Sequence, residues 1–114
     1  MADIVVVEAT DQLSHVAVKG RLDVAGVGEV ELKLTIHTTA RRKPAIVDLT
    51  EVNVLASIGI GMLVAIGKSM KAHHLGFAIV ASGTTKDILE KVKVDTIFPV
   101  VATYEQARTI VLGG

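Results

Sequence analysis

The sequence predicts an α/β fold in which a mixed sheet of about five strands is covered by about four helices. Three observations lead to this prediction. Ile4–Val7 is rich in β-branched residues and His15–Lys19 alternates, so the chain opens with an antiparallel strand pair. Ala45–Leu49 and Phe77–Val80 are short apolar runs, typical of strands buried on both faces. Longer segments separate these runs, as the crossovers between parallel strands require.

The segment 24–40 fits two patterns. Val30–His37 alternates with the period of a strand, whereas Val27, Val30 and Leu34 also fall on one helical face. Its length is unusual for a strand and ordinary for a helix, so we predict a helix with Asp23 as its N-cap. The basic cluster Arg41–Lys43 then complements the C-terminal end of the helix dipole.

The next segment predicts a strand, a turn and a buried helix. Pro44 ends the preceding helix, Ala45–Leu49 forms the strand, and Ser57 is expected to cap a helix over 58–73. Gly59 and Gly61 suggest that this helix packs closely against the sheet and that its first turn has little side-chain cover.

The last third predicts two further helices around an edge strand. Thr84 and Asp87 resemble a capping box, and the inner face of that helix is expected to comprise Ile88, Leu89 and Val92. The edge strand spans 98–101, where Pro99 is tolerated. Thr103 and Gln106 form a second capping box, which starts the final helix. One face of that helix is expected to comprise Tyr104, Ala107, Ile110 and Val111.

Composition excludes several classes of function. Twelve basic and twelve acidic residues balance, so no charge excess favours nucleic acid or an acidic membrane. Three aromatic residues provide no stacking platform for bases, and the absence of cysteine excludes disulfides and thiolate metal sites. No secretory signal or spanning segment is visible. We therefore expect one cytoplasmic domain over 1–114.

Known catalytic and cofactor motifs do not fit either. The run Gly59-Ile60-Gly61 has Val64 where a dinucleotide fingerprint needs its third glycine. Leu55 stands where the nucleophile elbow of a serine hydrolase has glycine. His73 and the adjacent His74 point to different sides of a helix, unlike the spaced pair of a zinc helix. We predict no catalytic residue, metal or cofactor.

Ser57 has two interpretations. The simpler one is that it only caps the helix. The functional one is covalent modification, because a phosphate there would meet backbone donors and the positive end of the helix dipole. It would add nearly two negative charges to an apolar, glycine-flanked surface and change how a partner docks there.

Three motifs in order resemble the STAS-domain family, in particular bacterial anti-sigma factor antagonists. They are Gly20-Arg21-Leu22-Asp23, the run from Val47-Asp48-Leu49-Thr50 to Ala56-Ser57-Ile58-Gly59-Ile60-Gly61, and the segment 94–100. The resemblance implies a STAS-like fold and a non-enzymatic partner-switching role. The partner would be an anti-sigma factor that is also a serine kinase and phosphorylates Ser57, and a phosphatase would reverse the modification. The implied partner-binding residues are Asp23, Ala56, Ser57, Ile58, Gly59 and Gly61.

Two positions depart from the family pattern. Ala56 stands where the family usually has aspartate, and Ile58 where it often has a second serine. Two alternatives therefore stay open. One is an adaptor subunit of a transporter or stress-signalling complex that needs no phosphorylation. The other is a small-ligand or nucleotide-binding domain that uses the N-terminus of the helix at Ser57.

Overall fold

A computed structural model describes residues 1–113. Its elements follow the predicted order β-β-α-β-α-β-α-β-α. The strands are β1 (Ala2–Ala9), β2 (Ser14–Leu22), β3 (Ala45–Leu55), β4 (Phe77–Val80) and β5 (Val100–Val101). The helices are α1 (Val24–His37), α2 (Ser57–Ala72), α3 (Gly83–Lys91) and α4 (Tyr104–Val111), with single 3-10 turns at Thr39–Arg41 and Val94–Thr96.

The strands form one five-stranded sheet in the order β1-β2-β3-β4-β5. β1 and β2 are antiparallel, which confirms the predicted hairpin, and the remaining pairs are parallel. The parallel strands are joined by α1, α2 and the segment that contains α3, as crossovers demand. The predicted mixed sheet with helical cover is therefore confirmed, and β5 lies at its edge as predicted.

Helices cover both faces of the sheet. Successive residues of a strand point to opposite sides, and in β3 and β4 successive residues are apolar, so both faces must be buried. The larger core joins β2, β3 and β4 to α1, α2 and α3, and includes Val18, Val47, Ile79, Val30, Leu63 and Leu89. The smaller core joins the other face to α4, and includes Leu13, Ile46, Ala78, Val80, Ala107 and Val111. This arrangement leaves the N-termini of α1 and α2 at the same edge of the sheet.

Several boundaries differ from those predicted. β3 continues to Leu55 instead of ending at Leu49, because its second half pairs with Lys19–Leu22 of β2. α1 ends at His37, before Ala40, where the chain tightens into a 3-10 turn and the Thr38 hydroxyl donates to Leu34 O. β5 contains only two residues, because β4 offers partners only to Val100 and Val101.

The predictions for the last two helices were partly wrong. Ser82, rather than Thr84, is the N-cap of α3, and its side chain makes no capping hydrogen bond. Val92 is 49% exposed beyond the end of α3, and Ile110 of α4 is 45% exposed. The capping box of α4 is confirmed, with Gln106 N donating to the Thr103 hydroxyl. Within residues 1–113, no helix is long and apolar enough to cross a membrane.

Candidate functional site

The candidate site lies where β2 and β3 end side by side. Leu22 and Leu55 are paired in the parallel register, so the residues after them, Asp23 and Ala56, are neighbours at the edge of the sheet. The Ala56 amide also donates to Leu22 O at 3.0 Å. Each residue is followed at once by a helix, and the two helix N-termini therefore open at one place.

Asp23 closes the N-terminus of α1, as the sequence predicted. Its Oδ1 accepts a hydrogen bond from Gly26 N at 2.9 Å, and its Oδ2 accepts one from Arg21 Nε at 3.2 Å. The Gly26 amide, and then the Arg21 guanidinium, favour the ionised form and hold the pKa of the Asp23 carboxyl below its ordinary value. This helix end thus carries a built-in negative charge.

The N-terminus of α2 is built differently, and the predicted capping role of Ser57 was wrong. The N-cap is Ala56, which has no side-chain acceptor, and Ser57 is the first helical residue. Ala56 O accepts the first intrahelical bonds, from Gly59 N at 2.9 Å and Ile60 N at 3.1 Å. By helix geometry, the earlier amides have no acceptor within the helix. The exposed Ser57 hydroxyl therefore lies at an uncapped, dipole-positive helix end.

The two glycines of this turn serve different purposes. A Cβ on Gly59 would lie 2.9 Å from both Cβ and O of Leu22, so this buried glycine lets α2 approach the end of β2. A Cβ on Gly61 would meet nothing within 4 Å, and this residue is exposed. The prediction of sparse side-chain cover therefore applies to Gly61, whereas the prediction of close packing applies to Gly59.

Apolar side chains flank the serine. Ile58, the second residue of α2, is 43% exposed, and Val24, the first residue of α1, is 73% exposed. Both residues follow the paired ends of β2 and β3, so a partner that meets Ser57 can also contact exposed apolar side chains. The sequence interpretation included Ile58 but missed Val24, which follows the Asp23 cap directly.

A local repeat in the sequence could have revealed this symmetry. Asp23-Val24-Ala25-Gly26-Val27-Gly28 and Ala56-Ser57-Ile58-Gly59-Ile60-Gly61 share glycines at their fourth and sixth positions. In both helices the first glycine is buried against β2 and the second is open to solvent. Four of the six predicted site residues, Asp23, Ala56, Ser57 and Ile58, lie together at the helix ends. Gly59 lies beneath them and Gly61 lies further along α2.

The family model for the STAS domain matches residues 5–107. The chain belongs to the STAS domain family. The match spans both helix N-termini and the strands that position them, so the STAS fold predicted from the motifs is confirmed.

Two solved structures resemble this STAS chain over almost its whole length. An anti-sigma factor antagonist from Mycobacterium paratuberculosis is 28% identical, with a TM-score of 0.87, and the match covers 97% of this chain and 94% of that one. A Thermotoga maritima protein provisionally described as an anti-sigma factor antagonist is 19% identical, with a TM-score of 0.80 and 91% coverage of both chains. The second likeness concerns the fold alone. No curated protein matches the sequence significantly.

A second polar cluster, on the face covered by α4, was not predicted. The Tyr104 hydroxyl donates to Glu8 Oε1 at 2.7 Å and accepts from Arg108 Nη1 at 2.9 Å. The bond to the Glu8 carboxylate raises the pKa of Tyr104. The buried His15 ring stacks on Tyr104 with 4.5 Å between ring centroids. This cluster ties α4 to the β1–β2 hairpin in this STAS chain.

Two further residues singled out in the sequence, Arg41 and His73, form hydrogen bonds that hold the fold together. Arg41 of the basic cluster donates to the Ser14 hydroxyl at 2.6 Å and to Thr10 O at 2.8 Å, so it holds the start of β2. His73 Nδ1 lies 2.8 Å from Ser69 O at the end of α2. Across residues 1–113, no group of three or more histidine, aspartate or glutamate side chains is arranged to hold a metal ion.

Proposed function

We propose that this STAS protein is an anti-sigma factor antagonist that acts in the cytoplasm by partner switching. In the unmodified state it binds an anti-sigma factor, and phosphorylation of Ser57 by that factor's serine kinase activity ends the binding. A serine phosphatase restores the unmodified state. The chain itself performs no catalysis, and its contacts with the partner comprise Asp23, Ala56, Ser57, Ile58 and Gly61, whereas the buried Gly59 holds α2 against β2 beneath them.

The observation that carries this proposal is the exposed hydroxyl of Ser57 at a helix end that no side chain caps. A kinase must reach the hydroxyl, and the fold must tolerate the product. The uncapped amides and the helix dipole of α2 favour a phosphate at this point. The modification therefore leaves the helix intact and changes only the surface that a partner meets.

A phosphate would act on the partner through charge. The unmodified surface combines the apolar Ile58 and Val24 with the single carboxylate of Asp23, which Arg21 partly neutralises. A phosphate adds between one and two negative charges at neutral pH. Burying those charges against an apolar partner surface costs free energy unless cations compensate them, so the complex dissociates.

The experiment compares Ser57→Asp with a control variant, Ser82→Asp, both in the full chain. Binding to the purified anti-sigma factor of the source organism is measured by calorimetry. We expect Ser57→Asp to weaken binding roughly tenfold or more, because a desolvated charge costs more than about 1.4 kcal/mol. Ser57→Ala should retain binding and should lose the phosphorylation that mass spectrometry detects in the wild type.

Ser82 provides the matched control. It is an exposed serine at the start of α3, and its side chain makes no capping bond. Ser82→Asp adds the same charge to a different helix end and should leave binding unchanged. Equal affinities for wild type and Ser57→Asp, together with an unmodified Ser57 after incubation with the kinase, would exclude the switch.

One observation favours an alternative within the STAS family. Ala56 supplies no carboxylate beside Ser57, whereas the family usually has aspartate at this position. A chain that needs no phosphorylation would serve as a structural adaptor in a transporter or a stress-signalling complex. Such an adaptor would bind its partner equally well with Ser57, Ser57→Ala or Ser57→Asp, and the partner would have no kinase activity.

A further inference from the structure

The outer face of α1 carries an exposed apolar row, here called the α1 stripe, which comprises Val24, Gly28, Leu32 and Ile36. The three large side chains, Val24, Leu32 and Ile36, are 73%, 73% and 48% exposed, and Gly28 is exposed as well. The four residues are spaced four apart, so they lie one above another along about three turns of the helix. Such a row differs from the apolar side chains that are scattered singly over an ordinary protein surface.

Carboxylates border the α1 stripe on both sides. At 3.6 residues per turn, Glu29 and Glu31 project about 80° to either side of the middle of the stripe. Both are exposed, and neither takes part in the ion pairs found within residues 1–113. Lys33 does not offset them, because its ammonium group pairs with Asp3 of β1 at 3.5 Å. The outer face of α1 is therefore apolar along its middle and acidic along both borders.

The acidic borders discriminate between the partners that an apolar stripe could accept. If two copies of this chain met through α1, a two-fold axis would place carboxylate beside carboxylate in either helix orientation, and like charges repel. An anionic membrane surface is disfavoured for the same reason. A helix with its own apolar stripe and with lysine or arginine along its borders complements both features of α1.

The α1 stripe is continuous with the candidate site. Its first residue, Val24, directly follows Asp23 at the edge of the sheet where Ser57 lies. One partner can therefore cover the N-terminus of α2 and the outer face of α1 together. We propose that the partner that meets Ser57 also presents a basic amphipathic helix, which docks along the α1 stripe. This inference rests on the proposed function for the class of partner, an anti-sigma factor, and does not depend on phosphorylation.

Gly28 sets where the docked helix fits best. A Cβ at this position would meet nothing within 4 Å, so the surface between Val24 and Leu32 is open there. A large apolar side chain of the docked helix enters this space as a knob enters a hole. A side chain at position 28 would occupy part of that space.

The test measures the binding of the purified anti-sigma factor to variants of the full chain by calorimetry. Leu32→Ser should weaken binding roughly tenfold or more, because the leucine no longer becomes buried in the complex. Glu31→Lys should weaken binding roughly fivefold, and the loss should shrink as salt screens the charges. Gly28→Ala should weaken binding roughly threefold although it favours the helix of the free chain.

Two substitutions on α4 are the matched controls. Ile110→Ser removes an apolar side chain that is 45% exposed, and Glu105→Lys reverses an exposed charge. Neither should change the affinity. Urea denaturation of each variant verifies that the fold is retained, which we expect for Leu32→Ser because the leucine contacts mainly water in the free chain.

Ser57→Asp, measured in the same series, separates this proposal from the switch. Weaker binding by Ser57→Asp together with unchanged binding by Leu32→Ser would overturn docking on α1 and leave the switch intact. The reverse result would support docking and exclude the switch. Equal effects of Glu31→Lys and Glu105→Lys would show that the docked surface is not basic and would overturn the proposal.

Two further results would assign the α1 stripe to another partner and overturn the proposal. One is a free chain that sedimentation shows to be dimeric and that Leu32→Ser makes monomeric. The other is binding of the wild type, but not of Leu32→Ser, to vesicles of phosphatidylglycerol and phosphatidylcholine.

Discussion

α1 and α2 begin with the same spacing of residues but present different chemistry at their N-termini. Both follow paired strand residues, and both have a buried glycine at the third helical position and an open glycine at the fifth. In α1 the capping residue is Asp23, whose carboxylate accepts from Gly26 N. In α2 the capping residue is Ala56, which offers no side-chain acceptor.

The difference supports the proposal that the N-terminus of α2, and not that of α1, acts as the switch. A helix end with its own carboxylate already satisfies an amide and carries a fixed charge, so a second anion there would be repelled. A helix end without one can gain an anion and lose it again. The exposed hydroxyl at Ser57 stands at the second kind of end, and three substitutions test how far the two ends differ.

The largest effect is expected from Gly26→Ala in α1. A Cβ at this position would overlap the carbonyl oxygen of Arg21, and backbone cannot move aside as a flexible side chain can. We expect a loss of about 2–3 kcal/mol in the free energy of unfolding, measured by urea denaturation. Gly28→Ala is the matched control, because a Cβ there meets nothing within 4 Å. It should stabilise the helix by roughly 0.5–1 kcal/mol. Equal effects at both positions would contradict the close approach of α1 to β2.

A smaller effect is expected from Ala56→Asp, which gives α2 the cap that α1 already has. The new carboxylate can accept from the amide of Ile58, which has no acceptor within α2, in the way that Asp23 accepts from Gly26. We expect a gain of about 1 kcal/mol in the free energy of unfolding. Ala56→Asn should give a similar gain without a charge, which separates hydrogen bonding from the dipole effect. If neither variant is more stable than the wild type, the end of α2 is already satisfied and the comparison fails.

The smallest effect concerns the pH dependence of stability through Asp23. Its pKa is lower in the folded chain, so the unfolded chain binds the proton more readily. The stabilisation from this carboxylate is therefore fully present above its unfolded pKa and is lost as the pH falls through the folded pKa. Between about pH 5 and pH 2, Asp23→Asn should show a shallower decline in unfolding midpoint than the wild type.

A second carboxylate serves as the reference for that measurement. The pKa of Asp3 is also lowered, by the Ile4 amide and then by Lys33, so the wild-type profile contains both groups. Asp3→Asn should remove a separate part of the decline, and the double variant should remove both parts. An Asp23→Asn profile parallel to that of the wild type would show that the cap contributes no pH dependence.

Motifs whose partners lie within a few residues could be predicted from the sequence. The Asp23 cap and the Thr103–Gln106 capping box each join groups three residues apart, so the local pattern contains all the participants. The prediction that Ser57 caps α2 was wrong because the local pattern did not show where β3 ends. That boundary depends on pairing with β2, whose residues come more than thirty positions earlier in the chain.

The same distinction between partners close in sequence and partners far apart in sequence applies to the candidate site. The motifs around Asp23 and Ser57 led to both segments and to the STAS family, but the residues between them gave no reason to place the segments side by side. The contact of Gly59 with Leu22, which brings α2 against the end of β2, joins two elements that are distant in sequence.

The sequence by itself determined the order of elements, the apolar runs of the sheet and the cap of α1, because these depend on short-range periodicity and hydrogen bonding. Only the tertiary structure decided that Ala56 is a cap without an acceptor and that Ser57 is the first, exposed residue of α2. The Ala56 amide donates to Leu22 O, and the chain can leave the sheet for the helix only where this last interstrand bond is made. The position of the hydroxyl is therefore set by a neighbouring strand.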